Sequence, residues 1–162
     1  MPPILDPNEI NNTIFQPIFA YQFRFLIDGI PSYMIKGVNG IGFTESEDII
    51  YHINTYYKLA SRRMYKDITL SLYDPCSPSG AQAISEWDKL RYERVTGRAS
   101  YADTYWKDTV MHITGPAGDI VREWVIKRSF IKDVDYGDYN YETETHTSIT
   151  LVLANSGIDL SY

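Results

Sequence analysis

Three histidines, one cysteine, a glycine-rich run and a block of carboxylates are the residues whose types could do chemistry in this chain. His52, His112 and His146 are far apart and show neither the H-x-H nor the H-E-x-x-H spacing of a local metal site, so each reads as a histidine carried by a strand. Cys76 sits in "PCSP" with no adjacent base to make it a nucleophile. A single cysteine also excludes an intramolecular disulfide framework and a multi-cysteine zinc site. The run "GVNGIGF" (37–43) has the glycines of a phosphate loop but lacks its Lys-Ser/Thr, and no helical pattern follows. Asp133, Asp135, Asp138, Glu142 and Glu144 lack the alternating ligand order of a calcium loop and read as a solvated acidic face. With no G-x-S-x-G elbow either, the expectation is a non-enzyme with no catalytic residue, no metal and no cofactor.

Composition narrows the classes further. The chain has 162 residues, 44% hydrophobic and 22% charged, enough for one domain with its own core. The net charge of −6 argues against a basic nucleic-acid-binding surface. No apolar run approaches the roughly eighteen residues of a membrane span, and "MPPILDPNEI" lacks the basic and apolar regions of a signal peptide, so no membrane insertion is expected. Tyrosine is abundant, 14 residues against 6 Phe and 3 Trp, which suits strands and half-wet contact surfaces.

Residues 1–20, rich in proline and asparagine, read as an extended arm, and 21–162 as a single β domain. In "YQFRFLI" (21–27), Tyr21, Phe23, Phe25 and Ile27 share one face of a strand. Asp28-Gly29 predicts a hairpin turn to a returning strand over 32–38. Residues 43–73 read as a long hairpin whose middle has no core pattern, until Ile68, Leu70 and Leu72 line one face of its last strand. Such a protrusion has no core of its own to stabilise it. A helix follows, started by Ser77 before Pro78 or by a capping box of Ser79 and Gln82. Its apolar face is Ala83, Ile84, Trp87, Leu90 and Arg91, and Gly97 would stop it. Trp87 is expected to anchor the helix on the sheet. After a loop over 98–107, strands 109–114 and 120–134 form a hairpin whose second arm is long enough to bend or bulge. The last strand, 145–154, places Thr147, Ile149, Leu151 and Leu153 on one face, and the tail beyond it carries no predicted element. Six or seven antiparallel strands and one flanking α-helix predict a mainly β, sandwich-like or barrel-like fold with a long protruding hairpin.

The ordered set "YQFRFLIDG", "VNGIGF", "RRMYKDITLSLYD", the Trp87 helix, "REWVIKRSFIKDVDYG" and "HTSITLVLA" resembles the tail tube proteins of contractile-tailed, T4-like bacteriophages. The resemblance covers nearly the whole chain after residue 20. It implies a virion structural subunit, assembled in the host cytoplasm, whose hexameric rings stack into a hollow tube. DNA would pass through that tube without specific binding at genome ejection. The implied partners are further copies of the chain, the tail sheath protein, and baseplate and tail-terminator proteins. Under this resemblance the hairpin helps ring stack on ring, with Glu45, Glu47 and Asp48 on its outward arm and Arg62, Arg63 and Lys66 on its return. These charges either complement a neighbouring ring or pair within the hairpin. Some of Asp133, Asp135, Asp138, Glu142 and Glu144 are expected at the pore or a ring surface, where carboxylates would repel phosphate. A baseplate tube-initiator ring, or the tube of a phage-derived contractile injection system, would fit the same features.

Overall fold

The computed structural model describes residues 16–161. These form β1 (Phe23–Leu26), β2 (Ile35–Asn39), β3 (Phe43–His52), β4 (Thr55–Tyr65), β5 (Ile68–Tyr73), α1 (Gly80–Arg91), α2 (Ala102–Tyr105), β6 (Lys107–Thr114), β7 (Ile120–Asp135), β8 (Ser148–Ala154) and β9 (Gly157–Leu160). The fold is mainly antiparallel β with one substantial helix.

The 16-residue β7 organises it. Arg128 interrupts the strand with a left-handed φ of 54°, and its N–H donates to the Asp108 carboxylate at 2.9 Å. The segment paired with β7 breaks at the same level: Phe130 lies opposite Ala154 in β8, and Lys127 opposite Gly157 in β9. β7 therefore belongs to two half-sheets, β9-β7-β6-β1 and β7-β8-β5-β2. A strand that changes sheet through such a bend makes the corner of a sandwich or barrel. Thr109 and Ser129, both fully buried, share a hydroxyl hydrogen bond of 3.4 Å beside the corner.

The core lies between the halves. Ile68, Leu70 and Leu72 face Leu153, Leu151 and Ile149 across the β5–β8 ladder, and all six are buried. Phe25, Ile126 and Ile158 close the core from the other half. Each such side chain contributes about 1.5–3 kcal/mol through burial. α1 adds Ile84 and Trp87, and Gly80 lets its first turn sit against the Tyr73 carbonyl and the Ile149 side chain.

Several expectations need correction. The 28–29 turn exists, and Ile27 bridges Ile30, but β1 and β2 do not pair: β1 lies on β6 and β2 on β5. A 3₁₀ turn at Ser32–Met34 turns the chain onto the other half-sheet. Tyr21 is 74% exposed and outside the core. The helix N-cap is Ser79, whose hydroxyl accepts from the Gln82 N–H, so Ser77 and Pro78 precede the helix. α1 ends at Arg91 with an extended Tyr92, leaving Leu90 and Arg91 exposed. Gly97 does not stop it: at φ 70° it closes the next turn, donating to the Glu93 carbonyl at 2.9 Å. The 98–107 loop contains α2, His146 precedes β8, and the tail forms β9. Most of the predicted N-terminal arm, residues 1–15, lies outside the described residues.

Candidate self-assembly surfaces

β3 and β4 pair from Phe43 opposite Tyr65 to His52 opposite Thr55, and almost every residue of the hairpin is exposed. Strand alternation sends Glu47, Ile49 and Tyr51 to one face with Ala60, Lys58 and Tyr56. Asp48 and Ile50 take the other face with Leu59 and Tyr57. Both faces thus carry exposed apolar or aromatic side chains. Tyr51 and Tyr56 meet with ring centroids 6.4 Å apart near the tip. The tip residue Ile53 is 89% exposed and holds a φ of 52°, a region β-branched residues rarely occupy. Strain of this kind concentrates at functional positions.

The hairpin charges divide into two groups. Arg63 pairs with Glu45 and lies over the Phe43 ring, 4.0 Å from its centroid. Its hydrogen bond with Glu45 raises the Arg63 pKa above its ordinary value. Lys58, absent from the sequence expectation, donates to both carboxylate oxygens of Glu47 at 2.9 Å. Asp48, Arg62 and Lys66 form no ion pair among the described residues. A register shift sets Ser46 against both Ser61 and Arg62, and the Ser46 hydroxyl bonds the Arg62 carbonyl at 3.3 Å. The base is pinned to the body. Asn155 Nδ2 donates to the Lys66 carbonyl at 2.8 Å, and Gly40, at φ 94°, passes so close that a Cβ there would lie 2.2 Å from the Asp67 carbonyl oxygen.

The half-sheet β7-β8-β5-β2 presents a second surface. Its outward face holds two rows of small or polar residues: Gly37, Ser71, Thr150 and Asp135, then Asn39, Thr69, Val152 and Asp133. Asp133 and Asp135 thus lie on one sheet face, whereas Asp138, Glu142 and Glu144 lie in the exposed loop between β7 and β8. Asp135 also caps its own turn by accepting from the Gly137 N–H at 3.0 Å. None of the five carboxylates forms an ion pair among the described residues. Among the described residues, β2 and the C-terminal half of β7 each pair on one side only, which leaves the two outer edges of this half-sheet open there. Open edges offer unpaired backbone groups to another strand.

Trp87 is 3% exposed and donates its indole N–H to the Tyr105 carbonyl at 2.9 Å, joining α1 to α2. Sequence reasoning missed Asp74 at the start of α1. Its Oδ1 accepts from the Gly80 and Ala81 N–H groups at 3.1 and 3.5 Å and from the Ser79 hydroxyl at 3.3 Å. An acid five residues before the cap lies outside the usual capping patterns. The histidines stay dispersed: His52 at the hairpin tip, His112 bonded to Glu123 at 2.9 Å, and His146 tilted at 46° against the Tyr73 ring, with centroids 5.2 Å apart. The described residues hold no cluster of three or more His, Cys, Asp or Glu able to bind a metal, and no helix long and apolar enough to cross a membrane.

No protein-family model matches the sequence, and no curated protein sequence does. Solved structures do resemble the fold. The cap of the anti-feeding prophage, its tube terminating cap, superposes with a TM-score of 0.74 at 14% identity, over 92% of this chain and 93% of that one. The sheath-tube complex of the PVC extracellular contractile injection system in its extended state gives 0.72 at 14%, over 91% and 93%. The six-fold symmetrised baseplate of the anti-feeding prophage gives 0.70 at 15%, over 91% and 97%. The chain has the fold of the tail tube and tube-terminator proteins of contractile injection systems.

Proposed function

We propose that this chain is a structural, non-enzymatic subunit whose copies close into rings that stack into a hollow tube within a contractile particle. The observation that carries the reading is the hairpin. It exposes apolar side chains on both faces, stores backbone strain at its tip and makes nearly all its contacts within itself. A neighbouring copy covers it in the proposed assembly. Ring closure joins the β2 edge of one copy to the β7 edge of the next, a heterologous contact that closes by rotation, and six copies accord with the six-fold baseplate that shares the fold. Asp48, Arg62 and Lys66, unpaired in the hairpin, supply register between rings, which charges fix better than they fix affinity. Sheath, baseplate and terminator proteins are the proposed partners.

The two small-residue rows face the lumen in this reading. Their uncharged centre and the Asp133 and Asp135 flank leave little for a passing polyanion to bind, which suits passage of DNA in a phage tail. Trp87 fixes α1 against the sheet on the opposite side. The particle is a phage virion assembled in the host cytoplasm, or an injection particle with other cargo.

A second reading is favoured by the superposition on a tube terminating cap, which at 0.74 matches that on a sheath-tube complex at 0.72. The chain would then form one terminal ring. Negative-stain electron microscopy of the concentrated protein tests both. Hollow filaments support the repeating subunit, and single rings support the terminal one. Dispersed monomers that stay dispersed when purified baseplate is added overturn both.

A further inference from the structure

An open groove of about 760 Å³ runs between β1 and the start of β2, and the proposed function leaves it unused. Its walls include Tyr21, Arg24, Tyr33, Lys36 and Tyr73. Tyr21 and Tyr33 are 74% and 67% exposed, so the aromatic surface faces out. Lys36 lies over the Tyr73 ring, 5.6 Å from its centroid. Neither Arg24 nor Lys36 has a carboxylate partner among the described residues. The groove is thus aromatic, cationic and unfilled by the described residues, in a chain of net charge −6.

The loop 136–145 has the complementary character. It carries Asp138, Glu142 and Glu144, which form no ion pair among the described residues, and Tyr139 and Tyr141 project into solvent. Strand direction brings the two together. β7, β8, β5 and β2 alternate in direction, so β2 runs opposite to β7. A second copy whose β7 continues the antiparallel sheet beyond β2 therefore ends its β7 beside the start of β2. The loop leaves β7 there, and the groove begins there, at Ser32 and Tyr33. Strands lie about 4.8 Å apart, so the neighbour's β7 is one spacing from β2, whereas the chain's own β7 is three spacings away, roughly 14 Å. No residue of the chain's own loop lines the groove.

We propose that the loop 136–145 of one copy seats in the β1–β2 groove of the next, its carboxylates on Arg24 and Lys36 and its tyrosines against Tyr21 and Tyr33. The contact rests on the self-assembly reading and adds to it the side-chain lock that fixes which edge meets which. Desolvated aromatics would supply affinity, and the opposite charges would supply orientation.

The test uses the full chain with Cys76→Ser, carrying Tyr33→Cys and Tyr141→Cys singly and together. Assembled protein is treated with a bis-maleimide and run on a denaturing gel. The double variant is expected to give a covalent ladder that passes beyond dimer, and each single variant none beyond dimer. A companion set reverses charge in the loop (Asp138→Lys with Glu142→Lys) or in the groove (Arg24→Glu with Lys36→Glu). Each pair is expected to raise the concentration needed for assembly at least about tenfold, and the two combined to restore it. Rings or tubes with no ladder, or with an internally linked monomer only, overturn the loop contact and leave the tube reading standing. So does normal assembly of both reversed pairs. Wild-type protein that forms no ring with or without baseplate overturns the tube reading and this contact together.

Discussion

The indole N–H of Trp87 donates to the backbone carbonyl of Tyr105 at 2.9 Å, so one side chain both fills the core beneath α1 and fixes the short helix α2. The two roles separate by substitution. Trp87→Ala should cost about 3–5 kcal/mol, the range for emptying a large buried aromatic site. Trp87→Phe keeps most of the volume but leaves the Tyr105 carbonyl unpartnered, for a loss of about 1–3 kcal/mol. Urea unfolding monitored by circular dichroism measures both. Equal losses for the two variants would show that the hydrogen bond, and not the filled volume, carries the anchoring.

The start of α1 depends on Asp74 more than on its N-cap Ser79. The Asp74 carboxylate meets two helical N–H groups and the cap hydroxyl, whereas Ser79 meets one N–H at 3.5 Å. Asp74→Ala should therefore cost more than Ser79→Ala, for which about 1 kcal/mol is expected. A larger loss for the serine variant in the same unfolding assay would refute the assignment.

The hairpin charges should split by function. Glu45 and Arg63 pair with each other, while Asp48 and Arg62 have no partner within the hairpin. Reversing Asp48 or Arg62 should leave the melting temperature of the free subunit unchanged and hinder ring stacking, with a growing effect at low salt. Glu45→Lys sets a like charge against Arg63 in place of its partner and should lower the melting temperature of the subunit slightly, and adding Arg63→Glu should restore it. Filament length by electron microscopy and thermal melts read both outcomes. Unchanged filaments in the Asp48 and Arg62 variants would exclude these two from stacking.

β9 is clipped to β7 by Lys127 and Asp159, whose charged atoms are 2.6 Å apart. The hydrogen bond to Asp159 raises the Lys127 pKa above 10.5. A raised pKa means the folded state binds the proton more tightly, so the stabilisation is present below 10.5 and lost as pH climbs through the folded value. Lys127→Met should lower the denaturation midpoint slightly at pH 8, and the gap from wild type should close as pH climbs through the raised folded-state pKa of Lys127. A gap that persists in strong alkali would mean that the variant acts through packing of the lysine stem.

Some of the fold was legible because burial writes itself into short periods. Ile68, Leu70 and Leu72, and Ile149, Leu151 and Leu153, alternate so cleanly that their strands and inward faces could be read residue by residue. The hairpin was legible for the opposite reason, as strand-like runs with no inward face, but its predicted span of 43–73 took in β5, which pairs with β2 and β8 and leaves the hairpin at 43–65. β9 was not: four residues pairing with β7 through backbone groups leave little pattern. The surface residues divide in the same way. Glu45 and Arg63 announced complementary charge, but Lys58 as the partner of Glu47 follows from a register that only the ladder with its shift defines.

The sequence by itself determined the class of the molecule: a mainly β domain with one helix, an exposed hairpin and no local catalytic motif. Those properties depend on neighbours a few residues apart, which is where periodicity, capping and spacing act. Tertiary structure decided what depends on distant pairing. Asp28-Gly29 turns the chain but does not make β1 and β2 partners, because the 3₁₀ turn at Ser32–Met34 carries β2 onto β5 while β1 lies on β6. Arg128 and the break between β8 and β9 fold one long ribbon into two half-sheets. That fold puts Asp133 and Asp135 on a common face and opens the Tyr33 groove at the edge where the next strand would arrive. Residues 36 and 138 lie 102 positions apart in the chain and become candidates for one contact only once strand direction is fixed, since backbone hydrogen bonding sets direction and register while side-chain pattern sets only the face.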